Sequence, residues 1–284
     1  MSTSDRSLRF ALVGPGRVGL AMASLLRSGG HRVVRAVGRS AGSLDRAERT
    51  LGCEVTTDLA GATDGAEAIM IAIPDDQIAH VAARLAQVSE VSDKVFFHTA
   101  GALGQAPLSP LARLGGRTAA VHVLQAIPDV AAGVARIPGS WFGVTCDDSL
   151  RAWCAELVSD LGGHVLWVDE SRRGAYHAAA VIASNFMVAL GGLVETVGGG
   201  IAPYLPLMAG TLRNIEEFGP LVALTGPAVR GDEGTIRDHL SVLRDDPPAM
   251  QAYIALTLVA LDLAVKSDRI SREKYASMVE VLKS

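Results

Sequence analysis

The sequence predicts an α/β chain in two parts: a doubly wound parallel sheet over residues 1–169 and an all-helical part over residues 170–284. Three observations carry this. Short β-rich runs alternate with helical patterns through the first half. A glycine-rich turn, Gly14-Pro15-Gly16-Arg17-Val18-Gly19, joins the first strand-like run to the first helical pattern. After Asp169 strand-like runs disappear and long helical patterns take over.

The elements follow in order. Leu8–Val13 is an apolar run with one arginine, as in a strand buried on both faces. Arg17–Arg27 has helical spacing, with Val18, Ala21, Met22 and Leu25 on one side. Arg32–Val37 is a second strand. A short helix over Leu44–Leu51 and a strand over Glu54–Thr57 come next. Ala68–Ile73 is a fully apolar strand stopped by Pro74, after which Asp75 and Asp76 supply caps for a helix to about Gln87. Lys94–His98, Arg117–Val123, Trp141–Thr145 and His164–Val168 are further strands, with a helix over Ser149–Leu161. The second part reads as helices over Ser171–Val197, Pro203–Phe218, Thr235–Leu243, Pro247–Lys266 and Ser271–Leu282.

Composition narrows the function classes. The 284 residues are 49% hydrophobic and 20% charged, which excludes wholesale disorder. Aromatics are only 5%, so the core comes from Ala, Val, Leu and Ile. The net charge of −4 speaks against a nucleic-acid partner, which a clustered basic surface would mark. Cys53, Cys146 and Cys154 form no C-x-x-C pair and no metal-ligand spacing, so no metal is expected and the thiols read as reduced. Met1–Arg9 is polar and lacks the apolar stretch of a signal peptide. Ala178–Val194, the longest apolar run, is interrupted by Ser184 and Asn185 and reads as a buried helix rather than a membrane span. A soluble, cytoplasmic protein is expected.

The glycine turn has a chemical reading. Gly14 permits a tight turn, Gly16 lets the backbone approach a diphosphate, and Gly19 allows close helix–strand packing, with the helix N-terminus attracting phosphate charge. The strand before and helix after supply the context a dinucleotide fingerprint requires. The second strand ends Val37-Gly38-Arg39-Ser40, without the acid that usually bonds an NAD ribose. Arg39 offers a guanidinium fork and Ser40 a hydroxyl for a 2′-phosphate, so NADP(H) is expected over NAD. Ligands of such sheets bind beyond the carboxyl ends of the strands. Ile73, Pro74, His98, Thr99 and Gly101 therefore join the cofactor candidates, and His122 is a further strand-end histidine that reads first as packing.

These residues carry a resemblance. The G-P-G-R-V-G turn, the V-G-R-S and I-A-I-P-D-D strand ends, the H-T-A-G turn and the helical second half resemble the superfamily of 6-phosphogluconate dehydrogenase, β-hydroxyacid dehydrogenases, ketopantoate reductase and pyrroline-5-carboxylate reductase. Val121–Gln125, Tyr176–Ala180 through Asn185, and Thr225–Pro227 through Asp232 are similar to bacterial proteins that join a Rossmann-like domain to a domain of unknown function, DUF2520. The resemblance implies a Rossmann domain over 1–169, a substrate and dimerisation domain over 170–284, and a homodimer. It also implies an NADP(H)-dependent oxidoreductase of small carboxylate-bearing ketones, alcohols or imines.

Candidate chemistry lies in the second part. Where ketopantoate reductase-like proteins carry a helix Lys and a later Asn, this chain has His177 and, eight residues on, Asn185. On a helix Ser184 lies about 20° and Asn185 about 80° around the axis from His177, roughly 10–12 Å along it, so they can border one cleft without forming a dyad. Burial among apolar neighbours would require hydrogen-bond partners for Ser184 and Asn185. Arg230, in a Gly-Pro turn, suits a carboxylate, and Asp232 can orient it or simply end the turn, while Thr235 with Asp238 resembles a capping box. Because His replaces Lys, two other readings stay open: an NADP(H)-binding regulatory protein without turnover, and a redox protein exchanging hydride with a deazaflavin.

Overall fold

The computed structural model describes residues 7–283, so residues 1–6 of the polar N-terminal stretch, and residue 284, lie outside the described residues. Two compact units emerge, Met1–Asn185 and Phe186–Ser284.

The first unit is built on an eight-stranded sheet in the order β3-β2-β1-β4-β5-β6-β7-β8. The strands are β1 (Arg9–Val13), β2 (Arg32–Val37), β3 (Glu54–Thr56), β4 (Ala68–Ile71), β5 (Val95–His98), β6 (Arg117–Val123), β7 (Trp141–Cys146) and β8 (His164–Trp167). Its helices are α1 (Arg17–Ser28), α2 (Ala41–Leu51), α3 (Asp75–Val88), the one-turn α4 (Ser109–Ala112), α5 (Val130–Arg136), α6 (Arg151–Asp160) and α7 (Arg173–Ala183). The central strands are apolar without alternation because both faces are covered. Phe10, Leu12, Met70 and Phe97 pack into one buried cluster with α1 and α6 residues. Their neighbours Ala11, Val13, Ile69, Ile71 and Phe96 pack into another with α3 residues.

The order 3-2-1-4-5-6 places a topological switch point between β1 and β4, where a crevice opens at the carboxyl ends of the strands. The expectation of a parallel sheet holds from β3 to β6 and fails at its far edge. β7 pairs antiparallel to β6, and β8 runs parallel to β7. The chain between β6 and β7 does not cross the sheet. Its short α5 docks on α1, where Gly133 allows an approach that a Cβ would bring to 2.6 Å from the Ala21 methyl. A strand returning beside its predecessor without a crossover must run in reverse.

Local sequence reasons account for several ends. Ser40 caps α2 in a reciprocal box with Ser43. α3 begins after Pro74 without a side-chain cap, so Asp75 and Asp76 act as first-turn charges on the helix dipole rather than as caps.

The change of texture at Asp169 marks the last strand and not the edge of the compact unit. α7 belongs with the sheet because Arg173, in its first turn, is fully buried there. Arg173 donates to Thr145 Oγ1 (2.7 Å) and to the carbonyls of Ala120 (2.9 Å), Gly143 (3.2 Å) and Gly101 (3.3 Å).

The second unit contains α8 (Asn185–Gly198, whose first residue closes the first unit), α9 (Leu205–Ala223), the one-turn α10 (Pro227–Arg230), α11 (Glu233–Val242), α12 (Pro247–Lys266) and α13 (Arg272–Lys283). Non-helical Gly219 before Pro220 breaks α9 near its end. Ile236, Leu240, Leu261, Met278, Val281 and Leu282 form its core. The single helix expected over Ser171–Val197 is interrupted at Ser184, where ψ is −69° and φ −118°. The expectation of a buried helix also fails: within one chain Phe186 and Val188 are exposed, Val188 by 77%. Glu170–Gly198 and Pro247–Lys266 are, by length and composition, apolar enough to cross a membrane.

Candidate functional site

A cavity of about 470 Å³ opens at the switch point. Its floor is the glycine turn. Gly14 has φ +92°, and a Cβ there would lie 2.4 Å from Ile73 Cγ2 and 2.5 Å from the Ala72 carbonyl oxygen. Gly16 faces open space, with nothing within 4 Å of a Cβ placed on it. A Cβ at Gly19 would meet the Gly14 oxygen at 2.7 Å and the Ala72 methyl at 2.9 Å, so only glycine lets α1 start this close to the strands. The first N–H groups of α1 are therefore presented beside bare backbone, the arrangement that holds a diphosphate.

Of the sequence candidates, Gly14, Pro15, Gly16, Gly38, Arg39, Ser40, Ile73 and Pro74 line this cavity. Gly19 and Val18 shape it from behind as packing residues. Arg17 turns away, donating to the Pro128 carbonyl at 3.1 Å. The Ser40 hydroxyl is engaged with Ser43 as the α2 cap.

Three ionisable lining residues escaped sequence reasoning: Arg46 on α2, and His80 and Arg84 on α3. The i,i+4 spacing of His80 and Arg84 puts them on one helix face and was a readable signal. Arg39, Arg46 and Arg84 are joined by no lining carboxylate. The residues present thus fit a dinucleotide with a further phosphate on its ribose, since guanidinium forks reward that dianion and an acid would repel it.

His98 does not belong to a ligand site. It is fully buried, its Nε2–H donating to the Gly104 carbonyl at 2.7 Å and its Nδ1 accepting from the Ala100 N–H at 3.2 Å. Burial pushes its pKa down. Both nitrogens are spent on holding the Thr99–Gly104 turn. Thr99 and Gly101 do not line the cavity over the glycine turn, and the Thr99 N–H continues the sheet to the Ile71 carbonyl. Gly101 instead makes room for two histidines: a Cβ there would lie 2.3 Å from His177 Nδ1 and 3.0 Å from His122 Nε2.

Those histidines border a second cavity, of about 440 Å³, between the end of β6 and α7. His122, Gln125, His177, Ser184 and Asn185 are its polar lining. Ser184 and Asn185 are exposed side chains at the helix break rather than buried groups with protein partners. The His122 and His177 rings meet edge to face, 5.6 Å between centroids, and His122 Nδ1 lies 2.8 Å from the Tyr176 hydroxyl. His177 Nδ1 is buried without a hydrogen-bond partner. Burial first, then the neighbouring His177, Arg173 and His98, press the His122 pKa down to about 4. Burial pushes Tyr176 up to about 12. Sequence reasoning ranked His122 as packing because nothing in the chain order shows that Tyr176 reaches it.

Arg230 and Asp232 lie in the second unit. Asp232, not Thr235, caps α11, accepting from the Thr235 N–H at 3.1 Å and its hydroxyl at 2.8 Å. Those bonds hold its carboxyl below the usual range, and Arg230 adds a 3.8 Å ion pair. Among the described residues no group of three His, Cys, Asp or Glu side chains is placed to hold a metal ion.

Residues 2–123 match the Rossmann-like domain model, and residues 140–259 match the model of the domain of unknown function DUF2520. The chain belongs to the Rossmann-like and DUF2520 domain-containing proteins. In this DUF2520 protein the second model begins inside the sheet, taking in β7, β8 and α7. No curated protein sequence matches the chain. Solved structures share its fold. A proposed NADP oxidoreductase from Bacteroides fragilis is 24% identical, matching 90% of this chain and 98% of its own length with a TM-score of 0.76. A Thermotoga maritima protein is also 24% identical, over 92% of this chain and all of its own (100%), with a TM-score of 0.70. An imine reductase from Streptomyces aurantiacus is 13% identical over 97% and 93%, with a TM-score of 0.60.

Proposed function

We propose that this DUF2520 protein is an NADP(H)-dependent oxidoreductase of small carboxylate-bearing ketones, alcohols or imines. The observation that carries the reading is the cavity over the glycine turn, where Arg39, Arg46 and Arg84 gather without a carboxylate. Gly14, Gly16 and the α1 N-terminus take the diphosphate, and the arginines take the 2′-phosphate. NADPH, when bound, supplies the hydride. The protein supplies position: His177, Ser184 and Asn185 offer hydrogen bonds to a substrate in the cavity beside β6. Ketopantoate-like and pyrroline-carboxylate-like compounds are the leading substrate classes. The shared fold of an NADP oxidoreductase and an imine reductase is consistent with this chemistry.

The working form is a cytoplasmic homodimer. Val188 of α8, Leu207 and Val222 of α9 and Val259 of α12 are large apolar side chains left open in one chain, and a second copy covers them. Arg173, locked under the sheet at the start of α7, argues against that segment serving as a membrane span.

The test is a titration with NADPH and NADH followed by oxidation of bound NADPH with a panel of 2-oxo acids, 3-oxo acids and cyclic imines. Saturable NADPH binding, tighter than NADH, with turnover of one panel class is expected. No saturable signal at millimolar nucleotide refutes the reading. Light scattering reads the mass: a dimer is expected, and a monomer removes that part.

A further inference from the structure

The cavity beside β6 contains a hydrogen-bonded pair that cofactor binding leaves unused. The Tyr176 hydroxyl lies 2.8 Å from His122 Nδ1. Gly143, facing His122 across the β6–β7 pair, makes room for the phenol: a Cβ there would lie 2.2 Å from the hydroxyl oxygen. The Gly143 N–H is engaged in the β6–β7 ladder, two residues on from the Leu124 N–H to Trp141 carbonyl bond, so His122 Nδ1 is the partner left to the hydroxyl. A phenol donates far better than it accepts, so with that one partner it gives its proton to Nδ1. The one proton of a neutral His122 then sits on Nε2. Among the described residues Nε2 has no hydrogen-bond partner, and His122 lines the cavity.

The surroundings keep this imidazole neutral. Tyr176, His177 and Arg173 face it from α7 and its first turn, and His98 from β5; no carboxylate is among them. Arg173 is buried with only neutral hydrogen-bond partners, and Glu170 is the carboxylate that acts on its charge from outside that set.

We propose that His122 is the catalytic residue that polarises the substrate, donating its Nε2–H to a ketone oxygen, with Tyr176 as the positioning residue that fixes the tautomer. The inference rests on the oxidoreductase reading above and sharpens its substrate class. A ketone oxygen has lone pairs for Nε2–H and gains negative charge as it is reduced. A fixed donor and a nearby cation both strengthen as that charge grows. A protonated imine has no lone pair to offer and carries the sign that Arg173 repels. The cavity is therefore a carbonyl site, and oxo acids rather than cyclic imines are its substrates. His122 keeps its proton throughout, as an electrophile held neutral by its environment. The reduced oxygen takes its proton from water.

The experiment has two readouts. Ring-¹⁵N-histidine NMR of the whole protein, without nucleotide, is expected to show His122 protonated on Nε2 and bare on Nδ1 at pH 7, still neutral at pH 5.5. Tyr176→Phe is expected to populate both tautomers, which a purely structural tyrosine would not control. With NADPH, a branched 2-oxo acid and a cyclic imine carboxylate are compared. The 2-oxo acid is expected to turn over in preference. His122→Ala is expected to lower kcat by about 100-fold, in line with loss of one donor to a developing oxyanion, with the NADPH Kd unchanged. His122→Gln, whose amide N–H reaches toward the same place, is expected to recover about tenfold of that loss. A proton on Nδ1, wild-type kcat in His122→Ala, or preference for the imine each overturns the proposal. Those results leave the oxidoreductase reading standing. NADPH binding with no turnover of either compound or of the wider panel removes that reading, and the proposal with it.

Discussion

Exchanging Gly16 for alanine separates a turn built for folding from a turn built for a ligand. Gly16 has φ −83° and ψ −174°, extended backbone open to any residue, and nothing lies within 4 Å of a Cβ there. Replacing glycine where the backbone already suits alanine stabilises by about 0.4–1 kcal/mol through the unfolded chain. Gly16→Ala should therefore melt at or roughly 1–4 °C above the parent, given about 2–4 °C per kcal/mol for a protein of this size. Its methyl nonetheless occupies the approach of the diphosphate. Losing one charge-assisted bond of about 1.5–3 kcal/mol raises the NADPH Kd by roughly 10- to 100-fold. Gly14→Ala is the contrast. There φ is +92° and the methyl meets the Ala72 oxygen at 2.5 Å. A left-handed alanine costs about 1–2 kcal/mol and overpacking another 1–3, a Tm loss on the order of 10 °C. Differential scanning fluorimetry with and without NADPH reads both variants. If Gly16→Ala binds NADPH as the parent does, the turn is not the diphosphate cradle and the cofactor assignment loses its foundation.

Further outcomes follow from the same geometry. Arg39→Asp should weaken NADPH at least about tenfold more than NADH, because a carboxylate repels the 2′-phosphate; equal losses would point elsewhere. Asn185→Ala should lower turnover and leave the NADPH Kd within about twofold, so unchanged kinetics would remove Asn185 from the substrate cavity. Folded His122 titrates near 4 and the unfolded side chain near 6.5, so the unfolded chain alone takes up that proton as pH falls between them. Stability present above pH 6.5 is thus lost toward pH 4, by up to about 3 kcal/mol. Urea midpoints at pH 7 and 4.5 should draw closer in His122→Gln, and an identical loss in both proteins would contradict the neutral imidazole. Arg173→Met should strip donors from three backbone carbonyls and cost at least about 3 kcal/mol, read as a Tm loss of roughly 6–12 °C; a parental Tm would show that those bonds contribute nothing net.

The sequence by itself determined whatever depends on neighbours along the chain. The central strands were legible because strands buried on both faces read as unbroken apolar runs, and the half-exposed edge strands β3 and β8 because they fall between helical patterns. The glycine turn was legible because a left-handed residue, an open approach and a close helix contact fall within six positions. Arg39 was legible because it closes the strand beside that turn. Tertiary structure decided what depends on convergence. Arg46 and Arg84 are far apart in sequence and join Arg39 only because α2 and α3 flank one crevice. The reversal of β7 follows from where α5 docks, which no periodicity records. A buried arginine looks in sequence like any solvated one, so neither Arg173 nor the attachment of α7 to the sheet unit was visible. His98 and His122 both end strands; the fold turns one inward onto Gly104 and gives the other a tyrosine and a free nitrogen. Burial and partners fix an imidazole's proton and charge, and those are set by the packed chain and not by the order of its residues.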